Sequence, residues 1–331
     1  MTKFAELWEF TVRKPAAFDA YSFSLLSSVS ISVFCVFISG YFLHFERMEP
    51  LAAAEIKRAV ELALTEDIGS GDVTTIATVP ATTTATAVMA AREPLVIAGL
   101  ALAEAAFRQL SSEVKIVSNA RDGDSVGPGN VLLTVSGPAR ALLAAERVSL
   151  NFVQRLSGVA TLASQFVQAV KGTRAQILDT RKTTPGWRRL EKYAVTCGGG
   201  HNHRMGLYDM VLIKDNHLAA LSREVSDPVA AAIQRARAQF PQLKVEIEAD
   251  NLEQVDKALN AGVDLILLDN MNPVQLRLAV QKCKGRAQTE ASGGINLASV
   301  RAVAEAGVDF VSVGALTHSA RAMDIGLDFQ L

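Results

Sequence analysis

The residues of this sequence best suited to chemistry stand at the ends of short apolar runs. "AQILD" is followed by Thr180, Arg181 and Lys182, "MVLIK" ends at Lys214, "VEIE" ends at Glu248 and "LILLD" ends at Asp269. "TEAS" leads into Ser292, Gly293 and Gly294, and "VSVG" ends at Gly314. Guanidinium groups grip planar carboxylates through paired hydrogen bonds, and lysines supply point charge for phosphate. Glycine turns present backbone N–H groups that suit phosphate oxygens. The two acids are the odd members of a cationic set. An anionic ligand meets carboxylates only where a divalent metal or ribose hydroxyls come between. The set therefore predicts a site for a polyanion that carries a sugar, together with Mg²⁺ held indirectly by Glu248 and Asp269. Lys182, Lys214, Glu248 and Asp269 are the candidate catalytic groups.

The positive charge is local. Between Arg181 and His217 seven Lys or Arg stand against three acids, in a chain of 33 basic and 34 acidic residues with net charge −1. That balance excludes a general nucleic-acid binder. Arg181, Lys182, Arg204 and Lys214 are predicted to point inward, whereas Arg188, Arg189 and Lys192 are predicted to lie on a helix as solvated charges. "CGGGHNHR" at 197–204 raises a zinc reading through Cys197, His201 and His203, but no fourth ligand is spaced to close the site. The three cysteines make no disulfide framework, which suits a reducing cytoplasm.

The elements that must hold these residues follow from pattern. A helix is predicted from Leu51 to about Leu64, then a loop through "EDIGSGDVTT". "TATAVMAARE" and "PLVIAG" alternate as strands, and "VKIVSNARDGDSVGPGNVLLTVSG" reads as short strands joined by turns. A long helix is predicted over roughly Ala139 to Val170. From Ala175 six apolar runs alternate with amphipathic helices. Asp227-Pro228 and Asn272-Pro273 open two of these helices, and Gly262 and Gly307 close two others. "NLEQVDKALNAGVDLILLD" (251–269) and "NLASVRAVAEAGVDFVSVG" (296–314) repeat one helix–strand unit, so the strands are parallel and the connections are crossovers. Six units predict an α/β barrel slightly short of eight strands, with a doubly wound open sheet as the competing arrangement. The mouth of such a barrel would gather every strand-end residue named above.

Residues 1–47 read differently. No Asp, Glu, Lys or Arg occurs from Ala20 to Phe45, and "SVFCVFISGYFL" is apolar, yet seven serines from Ser22 to Ser39 dilute it. An upstream translation start with Met48 as the real one, a membrane anchor through residues 23–43 and a packed extension are the three readings open for it.

"EDIGSGDVTT", "ERVSLNFVQRLSG", "DTRKTTPG", "GGGHNHRMGLYDMVLIKDNH", "VEIEAD", "LILLDN", "EASGGI" and "VGALTHS" occur in this order. Together they resemble the carboxylating nicotinate-nucleotide diphosphorylases, or quinolinate phosphoribosyltransferases, over roughly Leu51 to Phe329. The resemblance implies an N-terminal α/β sandwich domain with its connecting helix over 48–160. It further implies an incomplete, seven-stranded α/β barrel over 161–331, the last residues returning to the first domain. It implies a homodimer with sites between subunits, and the conversion of quinolinate and phosphoribosyl diphosphate to nicotinate mononucleotide, diphosphate and CO₂ with Mg²⁺. Carried over, Arg147, Arg181, His203 and Arg204 would hold the quinolinate carboxylates, and Lys182 and Lys214 the boundary with diphosphate. Glu248 and Asp269 would meet ribose hydroxyls and metal, and Ser292 to Gly294 with Gly314 the 5′-phosphate. Ala291 stands where many relatives have a second serine. A related phosphoribosyltransferase acting on another aromatic acid is the alternative, which three arginines suited to a dicarboxylate disfavour.

Overall fold

The structure, a computed structural model, describes residues 49–330. The segment 1–47, with its possible membrane span at 23–43, lies outside the described residues. Among the described residues no helix is long and apolar enough to cross a membrane.

The chain opens with α1 (Ala53–Ile68) and α2 (Val73–Thr78). The second of these replaces the loop predicted for "EDIGSGDVTT": the Asp72 carboxylate accepts the Thr75 N–H at 2.9 Å, a cap that starts a helix directly after the glycines. Then follow β1 (Thr84–Ala91), β2 (Leu95–Val96), α3 (Leu100–Leu110), β3 (Lys115–Ser118), β4 (Ser125–Val126) and β5 (Val131–Pro138). The strand pattern anticipates the strands but not α3, which buries Leu102, Ala103, Ala106 and Phe107. The main sheet of this part is antiparallel in the order β12-β1-β5-β3, and its edge strand β12 (Ile325–Gln330) comes from the far end of the chain.

The spine is α4 (Ala139–Ala169), at 31 residues about 46 Å long. Leu142, Ala145, Ser149, Phe152, Leu156, Val159, Ala163 and Phe166 are buried along it, alternately three and four residues apart, as one apolar stripe requires. It packs on α3 and the first sheet on one side and on the barrel elements on the other. The returning chain crosses it closely. A Cβ on Gly158 would lie 1.8 Å from the Arg321 carbonyl oxygen, so only glycine admits the approach.

The six runs become β6 (Gln176–Leu178), β7 (Val211–Ile213), β8 (Val245–Ala249), β9 (Leu265–Asp269), β10 (Gln288–Ser292) and β11 (Phe310–Ser312). Between them lie α5 (Arg188–Cys197), α6 (Asp215–Leu221), α7 (Pro228–Gln239), α8 (Leu252–Asn260), α9 (Pro273–Cys283) and α10 (Val300–Glu305), with α11 (Ala315–His318) after β11. The sheet runs β6-β11-β10-β9-β8-β7, and each pairing is parallel. The first strand therefore pairs with the last, which a doubly wound open sheet does not do. On its other side β6 meets His201 in a parallel bridge, a one-residue seventh strand. The fold is an incomplete α/β barrel.

Two separate apolar clusters confirm which way each strand faces. Ile177, Ile213, Ile247, Ile266, Leu268 and Val311 join the core shared with the helices. Leu178, Met210, Leu265 and Phe310 form a small cluster of their own, separate from that core. Leu265 and Phe310 open β9 and β11, Met210 immediately precedes β7, and Leu178 closes the short β6. Side chains alternate along a strand, so two residues on from each of these positions the chain again faces the same way, now nearer the mouth.

Candidate active site

A cavity of about 900 Å³ occupies that mouth. Thr180, Arg181, Lys182, His203, Arg204, Lys214, Glu248, Asp269, Ser292, Gly293, Gly294 and Gly314 all line it. Alternation explains the gathering: Lys214 follows Leu212, Glu248 follows Glu246, Asp269 follows Leu267 and Ser292 follows Glu290, each pair on one face of its strand. Arg147 is the exception, exposed on α4 and outside the cavity.

The cationic wall is braced from behind. Asp179, buried at the end of β6, pairs with the buried ammonium of Lys192 and accepts the Asn202 amide at 2.6 Å and the His203 N–H at 2.9 Å. Lys192 also donates to the His203 carbonyl at 2.8 Å. Burial raises the Asp179 carboxyl and lowers the Lys192 ammonium, and the pairing of the two charges opposes both shifts. The solvated reading of α5 is thus corrected. Arg188 reaches Thr183 Oγ1 at 3.1 Å and the Met205 carbonyl at 3.1 Å, and Arg189 reaches Glu55 at 3.0 Å. Lys192 is fully buried, and Arg188 and Arg189 are half-buried because hydroxyl, carbonyl and carboxylate oxygens of other segments accept from them.

Glu191 makes a second brace. Fully buried, it accepts from Thr184 N at 3.0 Å, Thr184 Oγ1 at 2.8 Å and Arg155 at 2.8 Å. The Thr317 hydroxyl donates to the Lys182 carbonyl at 2.7 Å. The turn "TTPGW" is pinned further by Trp187 stacked on Phe152, ring centroids 5.2 Å apart. Arg181 Nε is buried with no hydrogen-bond partner, a donor left for something that enters the cavity.

Beneath the mouth lies a group that reading the strand ends alone misses. His203 Nε2 is 3.0 Å from Glu246 and 3.5 Å from Glu290, while its Nδ1 accepts the Arg204 N–H at 2.7 Å. A backbone N–H only donates, so the imidazole carries its proton on Nε2. Burial lowers the His203 pKa, which keeps the ring neutral. Glu246 and Glu290 are both pushed up to about 8, first by burial and, for Glu290, next by the charge of Glu246. The period of two in "VEIEA" and "TEAS" carries the signal for both. These three groups lie within 4.8 Å of one another, whereas Cys197 and His201 join no such cluster among the described residues.

The two acids stand among the cations of the same cavity. Glu248 pairs with Lys214 across adjacent parallel strands, and the Asp269 carboxylate accepts the Asn270 amide at 2.7 Å. Burial raises the Asp269 pKa, with the charge of Asp250 adding to it. Lys182 lies over the last glycine turn, where a Cβ on Gly314 would be 3.1 Å from its Cδ. Asn270 and His318 also line the cavity and stand in the motifs "LILLDN" and "VGALTHS".

Known proteins share both parts of this chain. Residues 72–157 match the family model "Quinolinate phosphoribosyl transferase, N-terminal domain" and residues 159–328 match its C-terminal counterpart. The chain belongs to the quinolinate phosphoribosyltransferase family. The nicotinate-nucleotide pyrophosphorylase [carboxylating] of Mycobacterium leprae is 48% identical over 275 residues, 81% of this chain and 95% of its own. A probable enzyme of the same name from Bacillus subtilis is 40% identical over 278 residues, covering 84% and 94%. Among solved structures, the nicotinate-nucleotide pyrophosphorylase of Francisella tularensis superposes with a TM-score of 0.81 at 35% identity, covering 87% of this chain and all of that one.

Proposed function

We propose that this quinolinate phosphoribosyltransferase family member transfers the phosphoribosyl group of phosphoribosyl diphosphate to the ring nitrogen of quinolinate. Nicotinate mononucleotide, diphosphate and CO₂ result, a step of NAD biosynthesis. The observation that carries the reading is one cavity that gathers Arg181, Lys182, Arg204 and Lys214 together with Glu248 and Asp269. Relatives named as carboxylating pyrophosphorylases support it over a substrate with a single carboxylate.

Arg181 and Arg204 grip the two carboxylates, Arg181 through its unpartnered Nε. His203, with both ring nitrogens facing protein groups, sets the Arg204 backbone beside them. Backbone N–H groups of Ser292, Gly293, Gly294 and Gly314 take the 5′-phosphate. Lys182 and Lys214 stand where the leaving diphosphate gathers charge. As the bond from C1′ to diphosphate breaks, the ribosyl centre turns positive, and Glu248 and Asp269 stabilise it through the ribose hydroxyls. The ring nitrogen needs placement rather than a base. Once ribosylated it is positive, so the C2 carboxylate departs as CO₂, leaving its electron pair beside that charge until C2 takes a proton. No covalent nucleophile enters, and burial holds the Cys197 thiol up at about 12, far from thiolate at neutral pH.

Half-buried carboxylates beside a phosphate turn suit Mg²⁺, a hard cation that keeps several waters and binds through one or two carboxylates plus substrate phosphates. Glu248 and Asp269 would hold it, and when bound it supplies charge that neutralises the departing diphosphate. We further propose a homodimer in which Arg147 serves the neighbouring subunit's cavity. Free Cys197 and Cys283 fit a reducing compartment, and we place the reaction in the cytoplasm.

The test is direct. Purified protein given quinolinate, phosphoribosyl diphosphate and Mg²⁺ should release CO₂ and nicotinate mononucleotide in equal amounts. Turnover of nicotinate instead, without CO₂, would overturn the assignment in favour of another aromatic acid.

A further inference from the structure

Asn270 has an unusual backbone for its residue type. Its φ is 54°, and it is the one non-glycine residue with positive φ among those described. Left-handed backbone is unfavourable for a residue with a Cβ, although asparagine adopts it more readily than most. Such a conformation persists where surrounding contacts over-determine it.

Three contacts do so here. The Asn270 N–H donates to the Ser292 carbonyl at 3.0 Å, extending the β9–β10 ladder one step past the Asp269–Ser292 pair. Its side-chain amide donates to Asp269 Oδ2 at 2.7 Å. Its Oδ1 lies over Gly293, where an added Cβ would come within 2.2 Å of it. Gly293 has φ 97°, so glycine is required there for two reasons at once. Asn270 itself lines the cavity. One side chain thus touches both the carboxylate assigned to the ribose and metal side and the turn assigned to the 5′-phosphate.

We propose that Asn270 is a positioning residue: it fixes the orientation of the Asp269 carboxylate and locks it to the phosphate-binding turn at 292–294. The inference rests on the role given to Asp269 and the turn under the proposed function. It assigns the phosphoribosyl half of the site a rigid internal spacing. The strained backbone is what carries the amide to Asp269 while the chain leaves the strand.

Asn270→Gly is the informative variant. Glycine adopts the same φ freely and keeps the N–H to Ser292, so the fold and thermal midpoint should hold while the amide is lost. Losing one hydrogen bond to a charged group predicts about a tenfold rise in KM for phosphoribosyl diphosphate and in its Kd with Mg²⁺, measured calorimetrically without quinolinate. The Kd for quinolinate should not move. Asn270→Asp, which tolerates the backbone but sets a second anion against Asp269, should bind phosphoribosyl diphosphate more weakly still. Wild-type KM and Kd for phosphoribosyl diphosphate in the glycine variant would overturn the proposal. So would equal losses for both substrates with a lowered thermal midpoint, the mark of a merely structural role. If the wild-type protein released no CO₂ the proposed reaction would fall, yet the binding comparison would still decide what Asn270 does.

Discussion

Lys192 and Asp179 form an ion pair with both side chains fully buried, directly behind the cationic wall of the cavity. Because Asp179 also holds Asn202 and the His203 N–H, the pair welds β6, α5 and the segment 201–204 into one unit. Lys192→Met would leave the Asp179 carboxylate buried without its counter-charge, and breaking a buried pair from one side costs about 3–5 kcal/mol. Urea unfolding should show that loss, and quinolinate affinity should fall with it as Arg204 loses its support. An unchanged urea midpoint would mean the pair is dispensable.

Glu248 and Asp269 are assigned to the ribosyl and metal side, since they are the two carboxylates at the ends of the adjacent strands β8 and β9 that line the cavity. Changing either to Ala should lower turnover by about 10²–10³, the scale of losing one preorganised electrostatic contact in a transition state. Quinolinate binding, followed by calorimetry, should stay nearly intact. Its collapse would mean that the two sides of the site are assigned the wrong way round.

The buried carboxyls give a pH prediction with a definite sign. Glu290 has an ordinary value of 4.5 and a folded value of about 8, raised chiefly by burial. The folded state therefore holds this proton more tightly than the unfolded chain. Its contribution is fully present below pH 4.5 and is lost as pH rises through about 8. Buried neutral His203 works oppositely, losing stability as pH falls below 6.5. Glu93, held down at about 2 mainly by its hydrogen bond from Arg321, acts only in the acid range. The thermal midpoint of the wild type should fall from pH 6 to pH 9 more steeply than that of Glu290→Gln, whose amide does not titrate. Parallel profiles would show that Glu290 keeps the same charge throughout.

Much of the site is legible because apolar runs mark strands and parallel strands share one mouth. Reading only the last residue of each run finds Lys214, Glu248 and Asp269. It passes over Glu246 and Glu290, one pleat lower, where the period of two would have shown them. Lys192 is misjudged for another reason. A helix in sequence does not say which of its faces meets a carboxylate, and Asp179 lies on a different element. The left-handed turn at Asn270 is likewise set by contacts with Asp269 and Gly293, so "DN" alone carries little of it.

Arg147 tests whether sites are shared. It is exposed on α4, makes no ion pair among the described residues and lies outside its own chain's cavity. Glu146 beside it in sequence is no partner, because sequence neighbours on a helix point in different directions. In a two-fold dimer, sharing would be reciprocal: each subunit lends its Arg147 to the other. Two inactive variants, Arg147→Ala and Lys214→Ala, can be unfolded and refolded together in equal amounts. With random pairing about half of the dimers are mixed, and each mixed dimer holds one cavity with neither lesion, so activity should return to about a quarter of wild type. Light scattering and mass spectrometry of the mixture establish that mixed dimers have formed. If they form and the mixture stays as inactive as its parents, Arg147 serves its own subunit or none. Recovery would instead mean that the cationic wall, as built from one chain, lacks a residue its neighbour supplies.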